Sequence, residues 1–284
     1  MRTLFIMLLT VCGLIAQDAK LPVLIIDGQN NHNWKGTTPV LKDALEKSGR
    51  FTVEVSTTPA NADEFANWRP DFSKYKVVLS NYNGQNWPIV VKIAFEEYVK
   101  TGGGFVCIHA ANNSFPDWPE YNKMIGLGGW GNRTEKHGPY VYVKDGVLVR
   151  DETPGPGGSH GPQVEFTVDL MPDGKEHPVT KGLPDSWLHA KDELYDRLRG
   201  PAENMKVLAT SFSNSTKRPE PMIMAIDYGK GRVFHTAMGH ADHSMKCVGF
   251  YTVVQRGSEW AATGGVTIPV PRGFPTKDAV VPVK

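Results

Sequence analysis

The sequence predicts an α/β protein built on an open, mostly parallel sheet with helices on both faces, an inserted β-hairpin and long loops. Three observations predict it. Short unbroken apolar runs recur, the pattern of strands buried on both sides. Amphipathic stretches of helical period lie between them, which implies parallel pairing through right-handed crossovers. Glycine and proline are abundant, 29 and 21 of 284 residues, too many for a helical bundle.

The elements follow in order. Residues 21–27, with Val23, Leu24, Ile25 and Ile26, read as the first strand. A polar loop holds Asn30, Asn31 and His32. Thr38 and Pro39 then read as the N-cap and first turn of a helix carrying Val40, Leu41, Ala44 and Leu45. Residues 51–56 alternate as a second strand, and 75–80 make a third. A helix over 88–100 presents Val91, Phe95 and Val99. Three glycines end it, and 105–108 form a fourth strand. Between 126 and 161 the regularity fails, except for Asp145-Gly146 between alternating segments, which marks a hairpin. Strands resume at 164–168, 206–210, 222–227 and 232–237, the last two as an antiparallel pair around Gly229-Lys230-Gly231. A final helix spans 244–262. No long linker separates two cores, so 20–264 reads as one domain, with 265–284 an extended tail.

The N-terminus reads as an export signal over 1–19. Arg2 precedes an apolar run at 4–16, and Ala16 or Ala19 suits cleavage. That run is shorter than the roughly 20 residues that span a membrane. The expected location is therefore periplasmic or secreted, with no stable membrane insertion after cleavage. With 31 basic against 30 acidic residues, the chain has no electrostatic footprint for nucleic acid. Three cysteines do not make a disulfide scaffold.

In open parallel sheets, ligands bind beyond the carboxyl ends of the strands. Asn31 and His32 follow the first strand there. His109 follows the fourth, at the position of a nucleophile elbow, with Cys107 two residues back inside the strand. His189 and Glu193 stand four apart, on one face if helical, and His240 follows a late strand. Imidazoles and a carboxylate brought together could do acid–base work or bind a divalent metal such as zinc. Trp34, Trp87, Trp118 and Trp130 lie in or beside loops with amides and carboxylates, a combination that suits sugar rings. No His-Glu-x-x-His or Cys-x-x-Cys motif is present.

Several segments together resemble the ThuA-like (trehalose utilisation) family, a branch of the class I glutamine-amidotransferase-like fold. They are Asn31-His32, the run from Gly102 to His109, Asp117-Trp118-Pro119-Glu120-Tyr121, and His177-Pro178-Val179-Thr180-Lys181-Gly182. Asp192-Glu193-Leu194-Tyr195 and the stretch from Tyr228 to His240 complete the set, in order over about 21–264. The resemblance implies a flavodoxin-like sheet and a small-molecule carbohydrate partner, a trehalose-type disaccharide or 3-keto-glycoside. Amidotransferase relatives carry a cysteine at the elbow, where this chain has His109. The expected reading is thus an enzyme using His109, Glu193 and His240 as acid–base groups or metal ligands. Asn31, His32, Trp34, Trp118 and Asp192 would contact substrate. A non-catalytic carbohydrate-binding protein is the alternative, and a cysteine-dependent amidase or protease using Cys107 a third.

Overall fold

The computed structural model describes residues 19–284, so nearly all of the expected signal segment lies outside it. The N-terminal half is a regular alternation. Strand β1 (Leu21–Asp27) leads to helix α1 (Trp34–Lys47), β2 (Phe51–Thr57), the short α2 (Ala62–Ala66), β3 (Val77–Ser80), α3 (Ile89–Lys100) and β4 (Gly104–Ile108). After α4 (Pro119–Ile125) comes the irregular insertion, with hairpin strands β5 (Tyr140–Lys144) and β6 (Val147–Asp151) and the two-residue β7 (Ser159–His160). Then follow β8 (Val164–Leu170), α5 (Pro172–Glu176), β9 (Ser186–Asp192), β10 (Tyr195–Asp196), β11 (Met205–Ser213), β12 (Arg218–Tyr228) and β13 (Gly231–Thr236). The helices α6 (Asp242–Met245) and α7 (Val248–Thr263) end the regular structure.

Nine strands form one sheet in the order β2-β1-β3-β4-β13-β12-β11-β8-β9. The first five are parallel, and their order is that of flavodoxin with β13 in the fifth slot. The remaining four alternate in direction. Successive reversals leave β9 running the same way as β1, so its carboxyl end reaches the same rim of the sheet. The bulges in β11 and β8 bend this antiparallel half. It curls around α7, which packs against β3, β4 and β13 on one side and β9 on the other. Gly257 of α7 permits this approach, because a Cβ there would lie 2.4 Å from the Phe234 ring. β7 and β10 pair as a small separate ribbon, as do β5 and β6.

Several local expectations need correction. Helix α1 begins at Trp34 rather than after Thr38. Asn33 caps it by accepting the Gly36 N–H at 3.2 Å, and Pro39 sits inside the helix. The segment from His189 to Glu193 is not helical: β9 carries His189 inward, and Glu193 lies just past its end. The last helix is broken in two at Lys246 and Cys247. Trp87 and Trp118 are core residues, buried against Phe95 and Phe115. Trp118 Nε1 donates to Glu96 at 2.5 Å, so this ring is not available to a sugar. Polar loop neighbours misled there, because the aromatic rings turn under the loop rather than out of it.

Two buried imidazoles outside the rim region make the fold acid-sensitive. His235 donates from Nδ1 to the Ile125 carbonyl at 2.8 Å, and its Nε2 accepts from Asn112 Nδ2 at 3.1 Å. Both nitrogens are thus satisfied in the neutral form, and burial pushes its pKa down to about 4. Burial pushes His177 down to about 4 as well. Both groups bind protons in the unfolded chain before they do in the folded one. Stability should therefore fall as pH drops from about 6.5 toward 4, by about 3 kcal/mol for the pair between pH 6.5 and 5. Urea unfolding of the metal-free protein at the two pH values measures this; an unchanged midpoint would contradict it.

Candidate functional site

The strand ends deliver side chains from remote parts of the sequence to one cavity of about 450 Å³. Asn31 and His32 come from the loop after β1, Asn83 from the loop after β3, and Asn113 from the turn after β4. Glu193 follows β9, Tyr195 lies on β10, and His240 follows β13. The insertion supplies Trp130, Gly131 and His160. His109 lies beneath, 2 % exposed, directly after β4 with φ +44°. That left-handed backbone is the sharp turn expected of an elbow, and it aims the ring at the cavity floor, stacked on Tyr195 at 3.9 Å.

Glu193 is the centre of the arrangement. Its Oε2 lies 2.9 Å from His240 Nδ1, 3.8 Å from His32 Nε2 and 4.0 Å from His109 Nε2. Its Oε1 is 3.8 Å from His160 Nδ1. Burial opposes ionisation of this carboxyl, but the surrounding imidazoles outweigh it and hold the pKa well below the usual carboxylate range. The contact to Glu193 raises the pKa of His240. Burial pushes His109 down to about 3, so its ring is neutral at physiological pH.

The outer nitrogens decide which ring atoms face the cavity. His109 Nδ1 is 2.7 Å from the Ala237 carbonyl, which can only accept. His32 Nδ1 donates to Asn30 Oδ1 at 3.1 Å. Both rings are therefore locked with their Nε2 lone pairs turned toward Glu193. His109 Nε2 and His240 Nδ1 are buried without a hydrogen-bond partner; the 2.9 Å contact of His240 with Glu193 lacks hydrogen-bond alignment. One ligand atom from each of His32, His109, Glu193 and His240 lies within 4.8 Å of the others. Ligand atoms about 2.0–2.1 Å from a tetrahedral zinc ion stand about 3.4 Å apart. The distances to Glu193 bracket that value.

Asp192 fastens the two sides of this cluster. It is fully buried, and its Oδ1 accepts the N–H of Glu193 at 2.8 Å and of His240 at 3.0 Å. Its Oδ2 accepts the Gly239 N–H at 2.7 Å and His189 Nε2 at 2.8 Å. Gly239 has φ +114°, a conformation that suits glycine and turns the chain toward the carboxylate. On the other wall, buried Arg133 donates to the carbonyls of Ser114 at 2.6 Å and Gly129 at 2.7 Å, pinning the loop that carries Trp130. Burial lowers this guanidinium to about 10, which leaves it charged at neutral pH.

His109, Glu193 and His240 thus meet, and His32, expected as a substrate contact, stands with them as a fourth donor. Asn31 lines the cavity and accepts from Asn83 Nδ2 at 2.6 Å. Three expected substrate contacts are corrected. Asp192 is sealed behind the cavity, Trp118 is in the core, and Trp34 opens α1 away from the cavity, half-buried beneath Lys35. The cysteine-dependent alternative fails on geometry: Cys107 is wholly buried inside β4, and burial pushes its thiol up. Asn83, Asn113, His160 and Tyr195 were not among the expected site residues. Asn83 and Asn113 could have been signalled by their places after parallel strands, and Tyr195 by the resembling segment that contains it.

A model of the ThuA family, described as trehalose utilisation, matches residues 22–261. The chain belongs to the ThuA family. It is 47% identical to a ThuA-like protein from Parabacteroides merdae whose crystal structure superposes with a TM-score of 0.89, over 93% of this chain and 98% of that one. A ThuA-like protein from Bacteroides uniformis shares the fold at 20% identity, with a TM-score of 0.56 over 88% and 96% of the two chains. No functionally curated protein matches.

In this ThuA-family chain, Asp192→Asn tests the clasp. An amide would set its own N–H₂ among buried N–H donors, and a loss of about 3 kcal/mol in stability is expected. Urea unfolding reads it; a loss below 1 kcal/mol would show that the anchoring is weak.

Proposed function

We propose that this chain is a divalent-metal-dependent enzyme acting on a neutral sugar that carries a ketone, a 3-keto-glycoside of the trehalose type. Membership of a trehalose-utilisation family supports the carbohydrate class. The observation that carries the metal reading is the pair of locked histidines. His32 and His109 each set Nδ1 against an acceptor, which leaves their Nε2 atoms converging on a carboxylate. Zinc-binding histidines are held in the same way by outer partners. His240 and Glu193 complete the donor set.

The cavity lining supports the substrate class. Among its described residues are three asparagines, a tyrosine and Trp130, but no lysine or arginine. Amides suit hydroxyl groups, the Trp130 ring offers a face for apolar C–H groups, and no lysine or arginine stands there to pair a phosphate or carboxylate. A proton on the carbon beside a ketone is acidic enough for an imidazole to remove. A zinc-class ion held by His32, His109, Glu193 and His240 would supply Lewis acidity beside the ketone. His160 is the proton carrier in this reading. Its side chain is 40% exposed, and Nδ1 is engaged with the Gly161 carbonyl at 2.7 Å, which leaves Nε2 free as the base. Tyr195, its phenol pushed up by burial, stays protonated as a donor. Proton removal of this kind is the step shared by elimination and isomerisation. Export to the periplasm or beyond belongs to the same proposal, on the strength of Arg2 and the apolar run that follows.

Elemental analysis of the purified protein should find about one zinc-class ion per chain, lost in a His32→Ala/His109→Ala double variant. Turnover of 3-keto-glycosides should vanish in His109→Ala and Glu193→Ala, and in His160→Ala without loss of the metal. Wild-type rates in these folded variants would reject the roles. Protons compete for His240, whose pKa is raised, so metal affinity should begin to fall as pH drops through that raised value and weaken further in acid. Affinity unchanged between pH 8 and 5.5 would exclude imidazole ligation.

A further inference from the structure

Behind Asp192 a second line of polar groups runs into the protein, and none of its members lines the cavity. His189 Nε2 is bonded to Asp192 Oδ2 at 2.8 Å, and His189 Nδ1 stands 3.7 Å from Cys247 Sγ. The sequence is thiol, imidazole, carboxylate, with the base oriented by the acid. Cys247 is also the N-cap of the 16-residue α7, where the helix dipole favours negative charge. Burial opposes the thiolate, but the charge of His189 and the backbone N–H groups of Phe250 and Ala190 bring the thiol below its ordinary value. Cys107 makes the contrast. It is equally buried, but it sits in mid-strand with its thiol pushed up.

We propose that Cys247 is a thiol-modification site, and that the state of its sulfur is transmitted to the metal centre through His189 and Asp192. The transmission half rests on the metal reading above; the modification half does not. The ligand class is a small disulfide. The thiol proton passes to His189 Nδ1, and Sγ attacks one sulfur of the reagent. A new S–S bond forms, the reagent's own S–S bond breaks, and its second sulfur leaves as a thiolate. Cys247 is oxidised and half of the reagent is reduced.

Access comes from the end of the chain. Cys247 is 2% exposed, so a reagent reaches it when its segment opens. That segment is paired with the last residues of the chain: Val248 N donates to Val281 O at 2.8 Å, Val283 N donates to Lys246 O at 3.2 Å, and Pro282 bridges to Cys247. This terminal strap is shallow, with Pro282 and Lys284 exposed. A surface strap of this kind opens at far lower cost than the whole fold. The His189 ring beside Sγ is itself packed against Phe166 and Phe250. A substituent on sulfur breaks the Sγ–Nδ1 contact and crowds this packed ring. Asp192 then loses one donor, and the carboxylate that holds Glu193 and His240 is free to shift.

The experiment treats the native full-length protein with dithiodipyridine and maps the modified cysteines by peptide mass. Zinc affinity is measured before and after. Cys247 should react without denaturant while Cys107 stays silent, and His189→Gln should slow the reaction at least tenfold. Modification should weaken zinc binding on the order of 10–100-fold, as loss of an outer-shell partner does. Cys247→Ser should bind zinc like the wild type and be insensitive to the reagent. Silence of Cys247, or equal reaction of both cysteines, would overturn the site. Labelling with unchanged zinc affinity would overturn the transmission. Failure of the untreated protein to bind zinc would remove the metal reading and the transmission with it, while the labelling result would still decide the thiol.

Discussion

The carboxylate of Asp192 is the constraint on which the rim depends. It is a fully buried acceptor with four donors, three of them backbone N–H groups, and two of those belong to Glu193 and His240 themselves. The carboxylate is held in its charged form, since burial alone would neutralise it and the hydrogen bonds from His189 and the Gly239 backbone help to outweigh it. β9 is an edge strand and β13 the middle strand of the nine, four places apart in the order. Asp192 is the shared acceptor that ties the end of β9 to the segment after β13.

That meeting is possible because the sheet is not flat. Bulges in β8 and β11 bend the antiparallel half, and α7 fills the hollow, with Gly257 against Phe234 and Gly249 near Trp187. The parallel half places His32, Asn83 and His109 by topology alone, at the carboxyl ends of adjacent strands. The antiparallel half places Glu193 by curvature. The insertion adds a third wall, held by a guanidinium that satisfies backbone carbonyls instead of a carboxylate. Three different devices thus converge on one cavity.

How much of this can be read without coordinates follows the same division. The parallel half was legible, because Val23–Ile26 and Phe105–Ile108 are apolar without interruption and their ends fall at the rim by rule. His109 at the elbow followed directly. Glu193 was legible as a residue but not as a geometry, since a four-residue spacing from His189 puts both on one face in a helix and in a strand. Tyr195 was legible only as part of a resembling segment, and Asn113 only by its place after β4. His160 gave no signal: it lies in the irregular insertion, whose path is set by Arg133 and by positive φ angles at Trp130 and Asn132 rather than by any periodicity. The tryptophans show the limit of composition: Trp118 and Trp130 both sit in or beside loops, yet one is core and the other lines the cavity.

The slot that β13 fills has a consequence for how the molecule is made. One edge of β4 pairs with β3, but the other finds its partner only in β13, where Gly104 faces Arg232. Until most of the polypeptide has left the ribosome, the nascent domain therefore presents a strand edge, flanked by wholly apolar side chains, to whatever is near. Such a chain cannot finish co-translationally from its first half. It is suited to being kept unfolded during synthesis and completed in a single late step.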